Sequence, residues 1–366
     1  MKRILTVFGT RPEAVKMCPL LLELKRRKDF ETYFCTTGQH REMLSPVLEI
    51  FDTKPDFNLD IMKERQTLFD ITSRTTEGLR RVIDIVRPDL IAVHGDTTTA
   101  FSAALCAFYE NIPVAHVEAG LRTYNVLSPY PEEFNRAAID KMARFCFAPT
   151  ARAAENLYRE GKQKDEVFVV GNTAIDALKY TVKADFESEI TKAAAGKRLI
   201  TVTAHRRENI GENMSNMFAA INDIVSAFPD VLIVYPVHKN PAVRAYANGF
   251  FGKNERIILC EPMDVISFHS TLSRSYLTLT DSGGIQEEAP SLGCPVIVMR
   301  DETERPEAIE AGTAILAGTG RKEIFDAASK LLNDKALHDK MKNAKNPFGD
   351  GHTSKLIADI LEKINF

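Results

Sequence analysis

The sequence predicts an α/β protein made of two doubly wound domains in tandem, and three observations predict it. Short apolar, β-rich runs alternate with longer segments of helical period along all 366 residues, the pattern of parallel sheets covered on both faces. The runs fall into two consecutive sets with a polar stretch between them. The chemically suggestive residues follow the strands, where open parallel sheets bind their ligands. Two such domains facing each other would bring both sets of strand ends to one central cleft.

In the first half, apolar runs place strands at 3–8, 32–36, 89–94, 113–117, 144–148 and 166–170. In the second half they place strands at 198–203, 231–236, 256–260, 275–280, 295–299 and 313–317. Helical periodicity fills most of the gaps, as at 14–27, 67–86, 98–109, 212–228 and 321–332. The polar segment 180–196 ends in Ala-Ala-Ala-Gly just before a new strand, so the boundary is expected near 172–196. The expected domains are 1–175 and 176–351, with the last helix in 352–366 returning to the first domain. That helix follows a turn-rich stretch, Asn346-Pro347-Phe348-Gly349-Asp350-Gly351.

Composition narrows the function. Hydrophobic residues make up 44% and charged residues 27%, the balance of an ordinary globular protein. A net charge of −3 carries no electrostatic footprint for nucleic acid. Cys18, Cys35, Cys106, Cys146, Cys260 and Cys294 lack Cys-x-x-Cys spacing and sit mostly in apolar runs. They read as buried thiols in a reducing compartment, not as disulfides or zinc ligands. The eight histidines show no metal-ligand spacing with acids, so no metal is expected. The first apolar run is too short for a signal-peptide core and no 18-residue apolar run follows, so no membrane span and a cytoplasmic location are expected. No G-x-G-x-x-G follows the first strand and no nucleophile elbow occurs, so neither a bound dinucleotide cofactor nor covalent catalysis by Ser or Cys is indicated.

The segment 276–288 is the most informative. An apolar run stops at Asp281, Ser282-Gly283-Gly284 follow, and a helix begins with Glu287 and Glu288 in its first turns. Backbone N–H groups at a helix start and the helix dipole favour an anion. Gly283 and Gly284 let a diphosphate approach the backbone, and Glu288 lies one turn on, within reach of a ribose. The pattern suits a nucleoside diphosphate, one carrying a sugar.

Other strand ends carry charge. Phe8-Gly9-Thr10-Arg11-Pro12-Glu13-Ala14-Val15-Lys16 turns at Gly9 and starts a helix with Pro12 in its first turn. Arg11 and Lys16 are cations where the dipole disfavours them, which suits an anionic ligand. Asp96 follows the third strand as either a helix cap or a site residue. Glu118 closes the fourth strand beside Gly120, a position more typical of a site. Glu132 and Glu133 open a helix after a Pro-rich loop. Asp96, Glu118 and Glu132 together supply crowded carboxylates of the kind that transfer protons near neutral pH. His205 with Arg206 and Arg207 ends the first strand of the second half and fits an acid or phosphate partner; His238 ends the next.

Seven motifs in order resemble the non-hydrolysing UDP-N-acetylglucosamine 2-epimerases of bacteria: Gly9-Thr10-Arg11-Pro12-Glu13-Ala14, Gly38-Gln39-His40-Arg41, His94-Gly95-Asp96-Thr97-Thr98-Thr99, Val117-Glu118-Ala119-Gly120-Leu121-Arg122-Thr123, Pro131-Glu132-Glu133, Ala204-His205-Arg206-Arg207-Glu208-Asn209 and Asp281-Ser282-Gly283-Gly284-Ile285-Gln286-Glu287-Glu288. The resemblance implies two Rossmann-like domains of the glycosyltransferase B type and reversible conversion of UDP-GlcNAc to UDP-ManNAc without NAD. It also implies a homodimer activated by UDP-GlcNAc at a second site. By resemblance, Asp96, Glu118, Glu132 and His205 are catalytic. Ser282, Gly283 and Gly284 hold the diphosphate, Glu288 the ribose, and Phe268 with the Met263 backbone the uracil; Arg11, Lys16 and Arg305 add positive charge. Gln39, Glu42, Arg65, Arg206 and His238 match contacts to the activator. A hydrolysing 2-epimerase, a glycosyltransferase of the same fold and a non-catalytic sugar-nucleotide sensor are the rival expectations.

Overall fold

The computed structural model describes residues 1–38, 41–63, 65–206, 209–252 and 254–366, without the side chains of Arg41, Glu42 and Met43. The chain forms two units, Met1–Tyr180 with Phe348–Phe366, and Thr181–Pro347.

The strands of the first unit are β1 (Lys2–Phe8), β2 (Phe30–Thr36), β3 (Phe57–Asn58), β4 (Leu90–His94), β5 (Val114–Val117), β6 (Phe145–Ala148) and β7 (Val167–Val169). Those of the second are β8 (Arg198–Thr203), β9 (Val231–Pro236), β10 (Ile257–Cys260), β11 (Leu277–Thr280), β12 (Val296–Val298) and β13 (Ala314–Leu316). The orders are β3-β2-β1-β4-β5-β6-β7 and β10-β9-β8-β11-β12-β13. Pairing is parallel, with Leu5 opposite Ile91 at the centre of one sheet and Leu279 opposite Val202 at the centre of the other. The short β3, which the sequence reading did not expect, extends one edge beside β2.

The central strands are buried on both faces: all five residues of β4, Leu-Ile-Ala-Val-His, are inaccessible to solvent or nearly so. In the second unit Ile200, Val202, Ile233 and Leu277 share one core with Met217, Phe218, Ile221 and Ile224 from the Glu212–Ala227 helix. Helix-period apolar faces bury that area; each large side chain contributes about 1.5–3 kcal/mol of transfer free energy.

In each sheet the chain moves outward one way from the first strand and then returns to its other side. The reversals lie between β1 and β4 and between β8 and β11. At such a point the two outgoing loops diverge and leave a crevice at the carboxyl ends. Everything chemically suggestive in the sequence that follows β1, β4, β8 or β11 is therefore gathered at one of two switch points.

The chain divides at 180/181 and 347/348, a few residues from the 175/176 and 351/352 expected. The reason is the returning segment's hold on the Thr173–Thr181 helix. Asp176 accepts the N–H groups of Thr353 (3.1 Å) and Ser354 (2.7 Å), the start of the Thr353–Lys363 helix, and Lys179 donates to Gly351 O. The far end of that helix is satisfied by Lys2, whose Nζ donates to the carbonyls of Leu361 (2.8 Å) and Glu362 (3.0 Å).

Candidate active site

At the first switch point, Gly9 turns the chain after β1; a Cβ there would stand 1.8 Å from Thr37 Oγ1. Thr10 then caps the Arg11–Arg26 helix in a capping box with Glu13. Glu13 Oε2 accepts from Gly9 N (3.1 Å) and Thr10 N (2.8 Å), and Thr97 Oγ1 donates to Oε1 (2.6 Å). The helix start that the sequence reading offers to an outside anion therefore holds the chain's own carboxylate. Burial pushes the Glu13 pKa up, against the pull of these donors. Arg11 is exposed. Lys16 turns to Glu118, donating to its Oε2.

After β4, Thr97 rather than Asp96 caps the Thr98–Tyr109 helix, its Oγ1 accepting from Ala100 N at 3.0 Å. That sets aside the capping reading of Asp96. Its Oδ2 instead meets Arg136 Nη2 (2.5 Å) and its carbonyl accepts from Asn135 Nδ2 (2.9 Å). After β5, Glu118 has a left-handed backbone, φ 66°, a strained state for a residue with a side chain. Asn172 Nδ2 joins Lys16 on Glu118 Oε2 (2.7 Å), and His94 Nε2 lies 3.7 Å away. Burial holds the His94 pKa down at about 3, so the ring is neutral.

Beneath these loops runs a buried chain. His116 Nδ1 lies 2.6 Å from Asp140 Oδ1 and its Nε2 lies 2.7 Å from Gly95 O. Asp140 Oδ2 meets Arg122 Nη2 at 2.8 Å. Burial alone would raise the Asp140 pKa, but His116 and Arg122 hold it below its ordinary value. Of the paired acids, Glu133 is used by the fold: it accepts from Thr123 N (2.9 Å) and Tyr124 N (2.8 Å). Glu132, half-buried at the head of the Glu132–Met142 helix, has no side-chain partner among the described residues.

At the second switch point Asp281 is the hub. It is wholly buried, and its Oδ2 accepts from His205 N (2.9 Å), Arg206 N (2.9 Å) and Asn209 Nδ2 (3.1 Å). Its Oδ1 lies 3.3 Å from His205 Nδ1. Burial pushes the Asp281 carboxyl up, yet His205 and the N–H donors bring it below the ordinary value. His205, 41% exposed, turns its Nδ1 to Asp281. Its ring stacks on His238 at 5.5 Å between centroids. Burial, with the charges of His205 and Arg244, holds the His238 pKa down.

Ser282 heads the Gly283–Ser291 helix without a side-chain cap, and that helix has no acid in its first turn. A Cβ on Gly284 would meet nothing within 4 Å; one on Gly283 would lie 3.8 Å from the Arg305 guanidinium. Arg305 is held there by buried Glu287. Glu288 Oε2 lies 3.3 Å from His269 Nε2, whose Nδ1 is 2.8 Å from Thr181 Oγ1. Phe268 is half-buried on the same Val265–Leu272 helix as His269. Met263 packs beside Leu199, Leu232 and Val234. Arg65 is exposed. Gln39 lies outside the described residues, as do Arg207, Glu208 and the side chain of Glu42.

The structure thus collects Lys16, Asp96 and Glu118 in the first unit with Glu132 on the helix that holds Asp96. In the second it collects His205, Arg206, His238, Ser282, Gly283, Gly284 and Arg305. The sequence reading assigned no role to Glu13, Asn172, His116, Asp140, Asp281 or His269. Only Glu13 had a local signal, the Thr-x-x-Glu spacing from Thr10. Among the described residues no cluster of three or more His, Cys, Asp or Glu suits a metal, and no helix is long and apolar enough to cross a membrane.

Two tandem parallel sheets with nucleotide-type switch points define a two-domain, Rossmann-like enzyme fold of the glycosyltransferase B type; the glycotransferase of kitacinnamycin, 11% identical over 99% of this chain and 98% of that one, shares it with a TM-score of 0.67. A family model described as UDP-N-acetylglucosamine 2-epimerase matches residues 22–362. The UDP-N-acetylglucosamine 2-epimerase of Bacillus subtilis is 53% identical over 98% of this chain and 94% of its own. The crystal structure of a putative UDP-N-acetylglucosamine 2-epimerase from Listeria monocytogenes is 51% identical, covers 100% of this chain and 98% of that one, and superposes with a TM-score of 0.94. The Neisseria meningitidis UDP-GlcNAc 2-epimerase, solved with UDP-GlcNAc bound, is 44% identical over 99% of this chain and 100% of that one, with a TM-score of 0.89. The chain belongs to the UDP-N-acetylglucosamine 2-epimerase family and is an isomerase.

Proposed function

We propose that the protein interconverts UDP-GlcNAc and UDP-ManNAc without hydrolysis, by eliminating UDP and adding it back. The observation that carries this reading is the division of charge: acids gather at the switch point of the first unit, while that of the second has an uncapped glycine helix start under Arg305. The bound ligand of the Neisseria relative supports the same substrate.

C2 of the sugar has no neighbouring carbonyl, so its proton is not acidic. In the forward step a carboxylate takes the C2 proton while the bond from C1 to the diphosphate oxygen breaks. Those electrons leave with UDP, and C1 and C2 become doubly bonded in 2-acetamidoglucal. In the return step a proton reaches C2 on the other face and the diphosphate oxygen re-forms its bond to C1. Two proton-transfer groups and a cationic leaving-group site are required. Asp96 and Glu132 are the proposed proton-handling pair, with Glu118 positioning or sharing the role. Ser282, Gly283, Gly284, Arg305, Arg11 and Lys16 serve the diphosphate, Glu288 the ribose, and Phe268 with Met263 the uracil. His205, with Nδ1 held by Asp281, acts on the same reaction.

The same reading makes UDP-GlcNAc an activator, with Gln39, Glu42, Arg65, Arg206 and His238 as its contacts. It makes the enzyme a cytoplasmic homodimer supplying ManNAc units for cell-surface polysaccharide. Apolar side chains exposed on the first unit, Phe69 at 88%, Leu127 at 71% and Tyr109 at 69% among them, fit a subunit contact. A Phe69→Glu variant that sediments like the parent would remove that surface from the proposal.

Proton NMR of UDP-GlcNAc with the purified protein in D2O, with no cofactor added, tests the reaction. UDP-ManNAc with deuterium at C2 is the expected product. Free ManNAc with UDP would replace the reading with a hydrolysing epimerase, and an unchanged spectrum would overturn it.

A further inference from the structure

We propose that Glu13 is a positioning residue, which locks the loop after β1 to the loop after β4 and thereby fixes Asp96. The proposal rests on the reading of Asp96 as a proton-handling group. Glu13 is 2% exposed. Three donors from two different strand ends converge on its carboxylate: Gly9 N and Thr10 N on Oε2, and Thr97 Oγ1 on Oε1. Helix capping explains only half of that arrangement. Thr10 already supplies the side-chain cap, and the capping box needs one carboxylate oxygen. The second oxygen, 2.6 Å from a residue 84 positions away, does something a cap does not require.

Its target is the residue next to Asp96. Thr97 Oγ1 donates to Glu13 and at the same time accepts from Ala100 N, so one hydroxyl joins Glu13 to the start of the Thr98–Tyr109 helix. The same short loop is held from below by His116 Nε2 on Gly95 O and from the side by Asn135 and Arg136 on Asp96. Glu13 adds the hold from β1. Isolated buried carboxyls are costly, and this one meets three donors on its two oxygens, a set that an amide meets only by turning its NH2 on Thr97 and reversing that bond, which leaves the Thr97 hydroxyl proton without its acceptor. The buried carboxyl sits where it controls the position of Asp96, and misplacement of a reacting group by a fraction of an ångström to 1 Å is felt strongly in turnover.

The test compares Glu13→Gln, Thr97→Val and Thr97→Ser, alone and with the first two combined. Turnover, KM, UDP affinity by calorimetry and thermal melting are measured for each, with Asp96→Asn alongside. Glu13→Gln should lower kcat by about ten- to a hundredfold, while KM and UDP affinity stay within about twofold of the parent. Thr97→Val should do the same, and Thr97→Ser, which keeps the hydroxyl, should recover most of the loss. The combined variant should be no worse than the poorer single one, because both break one link. A folded Glu13→Gln protein with kcat within about twofold of the parent overturns the proposal. So do losses in the combined variant that multiply. If Glu13→Gln does not fold, equal turnover in Thr97→Val and Thr97→Ser overturns it instead. Near-normal turnover in Asp96→Asn would remove Asp96 from the reaction and with it the basis of the proposal; an inactive Asp96→Asn beside an active Glu13→Gln removes Glu13 alone.

Discussion

The helix after β1 begins Thr10-Arg11-Pro12-Glu13, and the helix after β11 begins Ser282-Gly283-Gly284-Ile285. Both start from a hydroxyl residue at a switch point of a parallel sheet. Three residues on, one has an acid and the other an isoleucine. Glu13 folds back over its own helix start and accepts from Gly9 N and Thr10 N. Ile285 goes into the protein, 7% exposed, and the second helix start has neither a side-chain cap nor a first-turn acid. The same local geometry thus carries its own carboxylate in the first unit and none in the second, where the diphosphate is proposed to bind. At the first switch point stand the acids Asp96 and Glu118.

The comparison breaks most sharply at the acids. Asp96→Asn, Glu118→Gln and Glu132→Gln should each lower kcat by about a hundredfold or more, while UDP affinity by calorimetry changes little, because most of the residues proposed to hold UDP belong to the second unit. Near-normal turnover in any one removes that residue from the proton-handling set. Ile285→Glu would give the second helix start the acid of the first. UDP affinity should then fall by about tenfold or more through charge repulsion and competition for the N–H groups. Unchanged affinity in a folded variant would mean the diphosphate binds elsewhere. Gly284→Ala is a finer probe: the methyl meets no protein atom, so stability should hold or rise by about 0.5 kcal/mol, and a severalfold loss of UDP affinity would come from crowding the ligand alone. The smallest effect concerns His94. Its folded-state pKa is about 3 against an ordinary 6.5, so between those values the unfolded chain binds a proton that the fold refuses. Stability should therefore be complete above the ordinary value and fall as pH drops toward the folded one. The loss of melting temperature between about pH 7 and about pH 5 should shrink by about 2 °C in His94→Gln; an undiminished loss would assign that slope to other groups.

Much of the architecture was legible because its signals are local. β8 and β9 have the bounds their apolar runs imply, Arg198–Thr203 and Val231–Pro236. β1 and β2 begin one and two residues earlier than their runs imply, at Lys2 and Phe30; the other strands are shorter by a residue or two, where the run was flanked by a polar residue or by Pro295 or Pro113, and β3 has only two residues and no periodicity to betray it. The Ser282-Gly283-Gly284 turn was legible because glycines and a helix start are adjacent in sequence. Asp96 against Glu118, or Glu132 against Glu133, was a different kind of question. Which acid the fold consumes depends on partners far along the chain: Glu133 on Thr123 and Tyr124, Asp140 on His116 and Arg122.

By itself the sequence determined two parallel α/β domains, the strand ends as the place for chemistry, and the residue types available there, because apolar periodicity, glycine turns and caps act over a few residues. Only the tertiary structure decided which charged groups are structural and which remain for a substrate. Glu13 is committed to Thr97 across 84 positions and Asp281 to His205 across 76, and hydrogen bonds over such separations exist only once strand order has brought the two loops together.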